Sequence, residues 1–265
     1  MLNRDARKQL KELVPPFMIA TKRWLLDQGL SLHFLDNAVR SRTLIPLTAG
    51  VYTLYEKSIS WHGVVASLQR MSEKPVHVGG LKALDIAGLA HFLTTSEEVR
   101  IPLFSESPLP AWIRRIPVDA TFEGHSTLRL WPESIMTNPR FLHEHDWLEA
   151  RPPVLYSCPE KAILEVLAEV PSMVSFEHAN ALMQGLSSLS PRKIDTLLKA
   201  CRSIKVKRLF LWLAERQDHA WFKHLNPNAY DLGAGKRVIA KNGKLNARWA
   251  ITVPEEMHEE SREHG

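Results

Sequence analysis

Residues 21–54 read TKRWLLDQGLSLHFLDNAVRSRTLIPLTAGVYTL, and the order of caps, apolar positions and glycines in this stretch decides the fold. Thr21 is a good N-cap for a short helix over residues 22–28, which Gly29 ends in a left-handed turn. Ser31 caps a second helix over 32–41, in which Leu32, Leu35 and Val39 share one face at helical spacing. His33, Asn37, Arg40 and Ser41 form a polar stripe on another face. Two short extended pieces, 44–47 and 51–54, follow and are joined by Thr48-Ala49-Gly50. Two capped helices about a glycine turn, then a small hairpin, read as a winged helix-turn-helix. In such a unit the second helix enters the DNA major groove with its outward polar side chains on base edges. The candidate base-reading residues are therefore His33, Asn37, Arg40 and Ser41, with Arg42 at the helix exit. Lys22 and Arg23 open the supporting helix, where side chains approach phosphates. The competing reading is a three-helix packing module with a solvated face.

Upstream, residues 3–13 suit a first helix with Leu10 and Leu13 inward, broken by Pro15-Pro16. Residues 17–19 are expected to pair with the wing as an edge strand. Downstream, a helix over 60–71 places Val64, Val65 and Leu68 inward. Residues 76–93 read as a short strand, a glycine turn at Gly79-Gly80 and a helix. That turn lacks the lysine and hydroxyl of a P-loop and the third glycine of a dinucleotide loop, so it is read as a packing turn.

From 99 to 131 the pattern changes to short extended runs, 99–104, 111–116 and 126–130, punctuated by prolines at 102, 108, 110, 117 and 132. These predict a small proline-edged sheet. Ser157 and Glu160 predict a capping box for a helix through Ala168 that buries Ile163, Leu164 and Leu167. Ser175 opens another helix, and Ser190-Pro191 a third that buries Ile194, Leu197, Leu198 and Cys201. A fourth over 205–216 buries Leu209, Phe210 and Leu213. Finally, 237–241 and 244–253 flank Asn242-Gly243, a strong hairpin signal, with Trp249, Ile251 and Val253 on one apolar face.

At 265 residues the chain suits two domains, and its 45% hydrophobic and 24% charged residues are those of a soluble globular protein. There is no run of eighteen apolar residues and no apolar signal core, so the expectation is a cytoplasmic protein without a membrane partner. Cys158 and Cys201 lack paired spacing and read as buried thiols. The net charge of +5 is unevenly spread: +5 over 1–70, −6 over 71–190, +10 over 191–254 and −4 over 255–265. Two basic blocks separated by an acidic one point to a polyanion partner for the ends.

With these residues in view, the chain resembles the AbiEi-type antitoxins and transcriptional regulators of type IV toxin–antitoxin systems. The N-terminal match is Trp24-Leu25-Leu26, Gly29-Leu30-Ser31 and the wing Gly50-Val51-Tyr52, followed by 78–84 and Gly88-Leu89. The C-terminal series is more specific: Ser157-Cys158-Pro159-Glu160-Lys161-Ala162, Leu182-Met183, Leu186, the run 203–212, Leu232-Gly233 and Gly235-Lys236-Arg237. The resemblance covers residues 8–254. It implies an N-terminal winged helix that binds inverted repeats in double-stranded DNA of its own promoter. It also implies a C-terminal domain that neutralises a nucleotidyltransferase toxin. One departure is Arg42, where the family's recognition helix often ends in a glycine.

Chemistry outside this reading is sparse. His143-Glu144-His145-Asp146 clusters metal-ligand types, but no third ligand is placed by spacing, and a solvated acidic loop is preferred. His125-Ser126 lacks a nucleophile's glycine elbow, and no paired carboxylates stand out. Lys199, Arg202, Lys205, Lys207 and Arg208 put five positive charges in ten residues and form a candidate basic surface for DNA or an acidic partner. The stem of Lys207 or Arg208 could instead cover apolar surface beside Leu209 and Phe210.

The expectation is thus an α+β protein: an N-terminal winged helix-turn-helix, residues 1–95, then a mixed helical domain with small antiparallel sheets, 96–254. A disordered acidic tail, 255–265, would follow. It would act as a DNA-binding autorepressor and antitoxin, with no enzymatic activity, no metal and no cofactor. The alternatives are a protein-interaction module that binds the toxin without reading DNA, and a nucleic-acid-processing enzyme.

Overall fold

A computed structural model describes residues 4–55, 58–90 and 99–259. The first helix, α1 (Arg4–Leu13), is followed by β1 (Ala20–Thr21), α2 (Lys22–Asp27) and α3 (Leu32–Arg40). Then come β2 (Ile45–Thr48), β3 (Val51–Thr53), α4 (Trp61–Met71), β4 (Val76–Val78) and α5 (Gly80–Ile86). The middle of the chain contains β5 (Arg100–Ser105), β6 (Thr121–Ser126), α6 (Glu133–Met136), β7 (Leu142–His145) and β8 (Val154–Ser157). The last stretch has α7 (Pro159–Ala168), α8 (Phe176–Gly185), α9 (Pro191–Ala200), α10 (Ile204–Gln217), β9 (Lys244–Asn246), β10 (Ile251–Val253) and α11 (Glu255–Glu259). Strands pair in three sheets, β1-β3-β2, β10-β9 and β6-β5-β4-β8-β7. The first two are antiparallel, and β4 runs parallel to β8 with Val78 opposite Tyr156. The architecture is α+β with small antiparallel sheets, as the sequence predicts; the parallel pair is an addition.

The chain forms two compact units. One comprises Met1–His77, Ser96–His125 and Glu144–Leu155, the other Val78–Thr95, Ser126–His143 and Tyr156–Gly265. The expected boundary at 95/96 lies outside the described residues.

In the first unit the winged helix follows from local rules. Thr21 Oγ1 accepts the Trp24 amide at 3.2 Å and Ser31 Oγ accepts that of Phe34 at 3.1 Å, so each cap satisfies one orphan donor. Gly29, at φ +88°, ends α2 in the left-handed turn that a side chain would oppose. Leu10, Val14, Ala20, Leu25, Leu30, Phe34, Leu35, Ala38 and Leu44 are buried in one cluster that joins α1, α2, α3 and the wing. The three-stranded wing pairs Ala20 with Tyr52 and Ile45 with Thr53, and Gly50 at its tip accepts the Lys22 amide at 2.8 Å. The edge strand therefore sits at Ala20–Thr21 rather than at 17–19, because Phe17 is left-handed, at φ 67°, and closes the turn after Pro15-Pro16. Leu32 also departs from expectation: it is 52% exposed, and Phe34 and Leu35 fill the inward positions.

Two further segments differ. Residues 111–116 wind into a 3-10 helix, Ala111–Arg115, buried only through Ile113. The chain after Ser126 turns over 127–130, where the Leu130 and Trp131 amides both donate to the Thr127 carbonyl.

The second unit is built around α7 and α10. Residues Glu160–Leu167 of α7 and Val206–Ala214 of α10 are buried on every face, and α7 packs against α5, α8, α9 and α10. Ile163, Leu164, Leu167, Leu209, Phe210 and Leu213 are buried as the sequence predicts. The capping box is not formed. Cys158 is the N-cap and makes no side-chain cap bond, while Glu160 Oε1 accepts the Ser190 amide at 2.8 Å. Nor does Asn242-Gly243 close the hairpin. β9 and β10 meet through residues 247–250, with Asn246 opposite Ile251, and Ala250 takes the positive φ of 51°. The tail begins as α11, anchored by the Lys244–Glu255 ion pair at 2.6 Å and by Arg216 donating to the Met257 carbonyl at 2.5 Å. Residues 260–265 lie outside the described ones.

Candidate nucleic-acid interface

The outward face of α3 brings together most of the predicted base-reading set. Phe34, Leu35 and Ala38 point inward, which leaves Leu32, His33, Asp36, Asn37 and Arg40 on the opposite side of a helix with 3.6 residues per turn. His33 and Arg40 are exposed and Asn37 is half-buried, its Nδ2 2.9 Å from His33 Nε2. One turn apart, the two side chains hold each other in place and keep polar atoms free for a ligand. Ser41 is exposed, but its hydroxyl is engaged with the Ala38 carbonyl at 3.2 Å and Thr43 Oγ1 at 3.0 Å.

Arg42 is exposed and left-handed, at φ 55°. The Arg42 amide donates to the Val39 carbonyl and the Thr43 amide to that of Ala38, a left-handed helix stop of the kind glycine usually provides. Arg42 thus occupies the glycine position while adding a cation to the helix exit. The cost is about 1 kcal/mol of backbone strain.

The two phosphate candidates differ. Arg23 has an 89% exposed side chain, 3.9 Å from Asp27. Lys22 is committed to Asp36 at 3.1 Å, an ion pair that ties the start of α2 to the middle of α3. Asp36 puts an acid on the same outward face, and its i, i+4 relation to Leu32 and Arg40 is the sequence signal that places it there.

The candidate basic surface at 199–208 is largely dismantled. Lys207 and Arg208 are each 3% exposed, because α10 is buried on that side. The Arg208 guanidinium donates to the carbonyls of Leu232 (2.7 Å), Gly233 (3.0 Å), Gly235 (2.6 Å) and Ala250 (3.0 Å). Lys205 Nζ donates to the carbonyls of Ala168 (2.8 Å) and Val170 (2.5 Å), satisfying the C-terminal end of α7, and burial lowers its pKa. Lys199 and Arg202 are exposed, the first paired with Asp195 at 2.7 Å and the second donating to the Leu128 carbonyl at 3.0 Å. At Lys205 and Arg208 the charge in the sequence encodes internal scaffolding.

Among the described residues of the second unit, a buried charged cluster centres on Glu165. Glu165 is fully buried and accepts from the Gly80 amide (3.1 Å), Ser157 Oγ (2.8 Å) and Trp131 Nε1 (3.2 Å), with Lys161 Nζ at 4.0 Å. Lys161 is fully buried too, and desolvation pulls its pKa down against the opposing pull of Glu165. These contacts tie the Gly79-Gly80 turn, β8 and α6's approach to α7, and none reaches solvent. Burial likewise pushes the thiols of Cys158 and Cys201 up, to about 12 and about 11. His143 packs edge-on against Tyr156, and His145 stacks on His62. Among the described residues no group of three or more His, Cys, Asp or Glu could hold a metal ion, and no helix is long and apolar enough to cross a membrane.

Comparison with known proteins gives this geometry a context. A family model described as the transcriptional regulator and AbiEi antitoxin of type IV toxin–antitoxin systems matches residues 79–254. The model of the corresponding AbiEi antitoxin N-terminal domain matches residues 3–95. The chain belongs to the AbiEi antitoxin family. This AbiEi protein is also similar in fold to the RV2827C protein from Mycobacterium tuberculosis, with a TM-score of 0.52 over 95% of this chain and 92% of that one, at 14% identity. No curated protein matches the chain. The family is one of regulatory antitoxins, and the winged helix described above lies within the span of its N-terminal model.

Proposed function

We propose that this AbiEi protein is a cytoplasmic autorepressor that binds inverted repeats in its own promoter through α3 and the wing. It also neutralises a partner nucleotidyltransferase toxin, and it has no catalytic activity of its own. The observation that carries the DNA reading is the His33–Asn37–Arg40 stripe on α3, presented by a helix-turn-helix whose opposite face is a closed core. Arg23 and Arg42 flank the stripe with exposed cations suited to phosphates. We assign reading to residues 1–95 and neutralisation to 96–254, where the C-terminal family model falls.

A gel shift with the DNA upstream of the gene tests the first half. A shift that competitor DNA of unrelated sequence does not abolish supports it; equal affinity for both contradicts it. The second reading, a winged helix that docks on the toxin without reading DNA, draws on Asp36, which pairs with Lys22 at 3.1 Å and so takes that cation away from phosphate contact. Arg40→Ala in the full chain separates the two. Lost repression with retained protection from the toxin supports DNA reading, and lost protection with retained repression supports docking.

A further inference from the structure

We infer that Leu32 is a specificity-determining residue that packs on the C5-methyl group of a thymine in the major groove. The inference rests on the DNA reading of α3 and adds to it the one apolar contact the helix can make. Leu32 is the first residue of α3 and is 52% exposed, on a face whose other members, His33, Asp36, Asn37 and Arg40, are all polar. It cannot turn inward, because Phe34 and Leu35, at 8% and 1% exposure, already fill the space beneath the helix. Nor is it paired with polar work by its neighbour, since the Ser31 hydroxyl is used to cap the Phe34 amide. Isolated surface leucines are ordinary. This one stands at the N-terminal end of the second helix of a helix-turn-helix, the end directed at base edges. In the major groove the thymine methyl is the one apolar group a base pair presents, so an aliphatic side chain there discriminates thymine from the other bases.

The test uses the full chain and the duplex it selects from a random-sequence pool. Each thymine of the selected site is replaced in turn by deoxyuridine, which keeps every hydrogen-bonding group and lacks only the methyl. At one position the replacement should weaken wild-type binding by about three- to five-fold, the value of one buried methyl. The same replacement should leave Leu32→Ala unaffected, and Leu32→Ala should itself bind the thymine duplex more weakly by a similar factor. Alanine is a strong helix former at an exposed position, so the variant should melt with the wild type. Specific binding with no uracil-sensitive position, or with the same sensitivity in Leu32→Ala, overturns the Leu32 assignment and leaves DNA reading intact. Failure to select any duplex overturns both.

Discussion

The sharpest structural prediction concerns Arg208→Met. In the folded chain this guanidinium supplies four hydrogen bonds to the carbonyls of Leu232, Gly233, Gly235 and Ala250, and so clamps the loop after residue 230 to the start of β10. A bond from a charged donor contributes about 1.5–3 kcal/mol. Four do not add, because Gly233 and Gly235 lie in an exposed loop and their carbonyls can turn to water once the clamp is gone. Ala250 is half-buried beside Trp249 and Ile251 and cannot do so as freely. The expected loss is therefore about 2–4 kcal/mol, within the range for breaking a buried charged network. Urea unfolding followed by tryptophan fluorescence reads it, since Trp212 sits on the same helix and Trp249 next to the clamp. Arg208→Lys keeps the charge but not the planar fork that reaches several carbonyls, so it should restore less than half of the loss. Lys199→Ala removes only an exposed pair and should stay within about 0.5 kcal/mol. If Arg208→Met unfolds at the wild-type midpoint while DNA affinity falls, the guanidinium belongs to a binding surface and the clamp is wrong.

Three further outcomes are expected. Asn37→Ala and Arg40→Ala should each relax base preference by about 1–3 kcal/mol at one position while leaving the melt unchanged, as competition binding with point-substituted duplexes reads. Arg42→Gly should move two readouts in opposite directions: relief of the left-handed strain stabilises the fold by up to about 1 kcal/mol, and the lost cation weakens binding to all duplexes alike. The third concerns alkaline pH. The folded thiols titrate near 12 (Cys158) and 11 (Cys201), against about 8.5 in the unfolded chain. Above the unfolded value the native state holds more protons, so this contribution to stability is complete below pH ~8.5 and is lost as pH rises. The slope is about 1.4 kcal/mol per pH unit for each thiol. Replacing both cysteines by alanine should flatten the urea midpoint between pH 9 and 10, and an unchanged slope would refute the assignment.

What the sequence discloses follows the range of the interactions involved. The two helices of the helix-turn-helix are legible to within a residue because their caps, Thr21 and Ser31, act on amides three residues away. Helical spacing alone puts Leu32 with Leu35, whereas at the first position of α3 it has no preceding turn to pack on and lies exposed. Ser157 and Glu160 have capping-box spacing, yet their partners lie at Glu165 and Ser190, and no local rule reaches the latter. Asn242 does take the positive φ its turn chemistry favours, at 61°. Gly243, however, lies against the Val253 backbone, where an added Cβ would come within 2.2 Å of the carbonyl oxygen, and β9 and β10 pair through residues 247–250 instead. Of the run of five cations, Lys199 and Arg202 stay exposed, Lys205 and Arg208 bond carbonyls and Lys207 is buried: residue type gives the charge, and only the three-dimensional neighbours decide whether it meets solvent or a carbonyl.

The central claim, that α3 reads DNA, is tested most directly by fluorescence anisotropy of the full chain on its upstream duplex and on a scrambled duplex, at several salt concentrations. The account predicts binding to the upstream duplex about a thousand-fold tighter or more at near-physiological salt. It also predicts that Arg40→Ala narrows that ratio, while Arg23→Ala weakens both duplexes alike and flattens the salt dependence by about one unit. Equal affinity of the wild-type chain for the two duplexes at every salt concentration would contradict it.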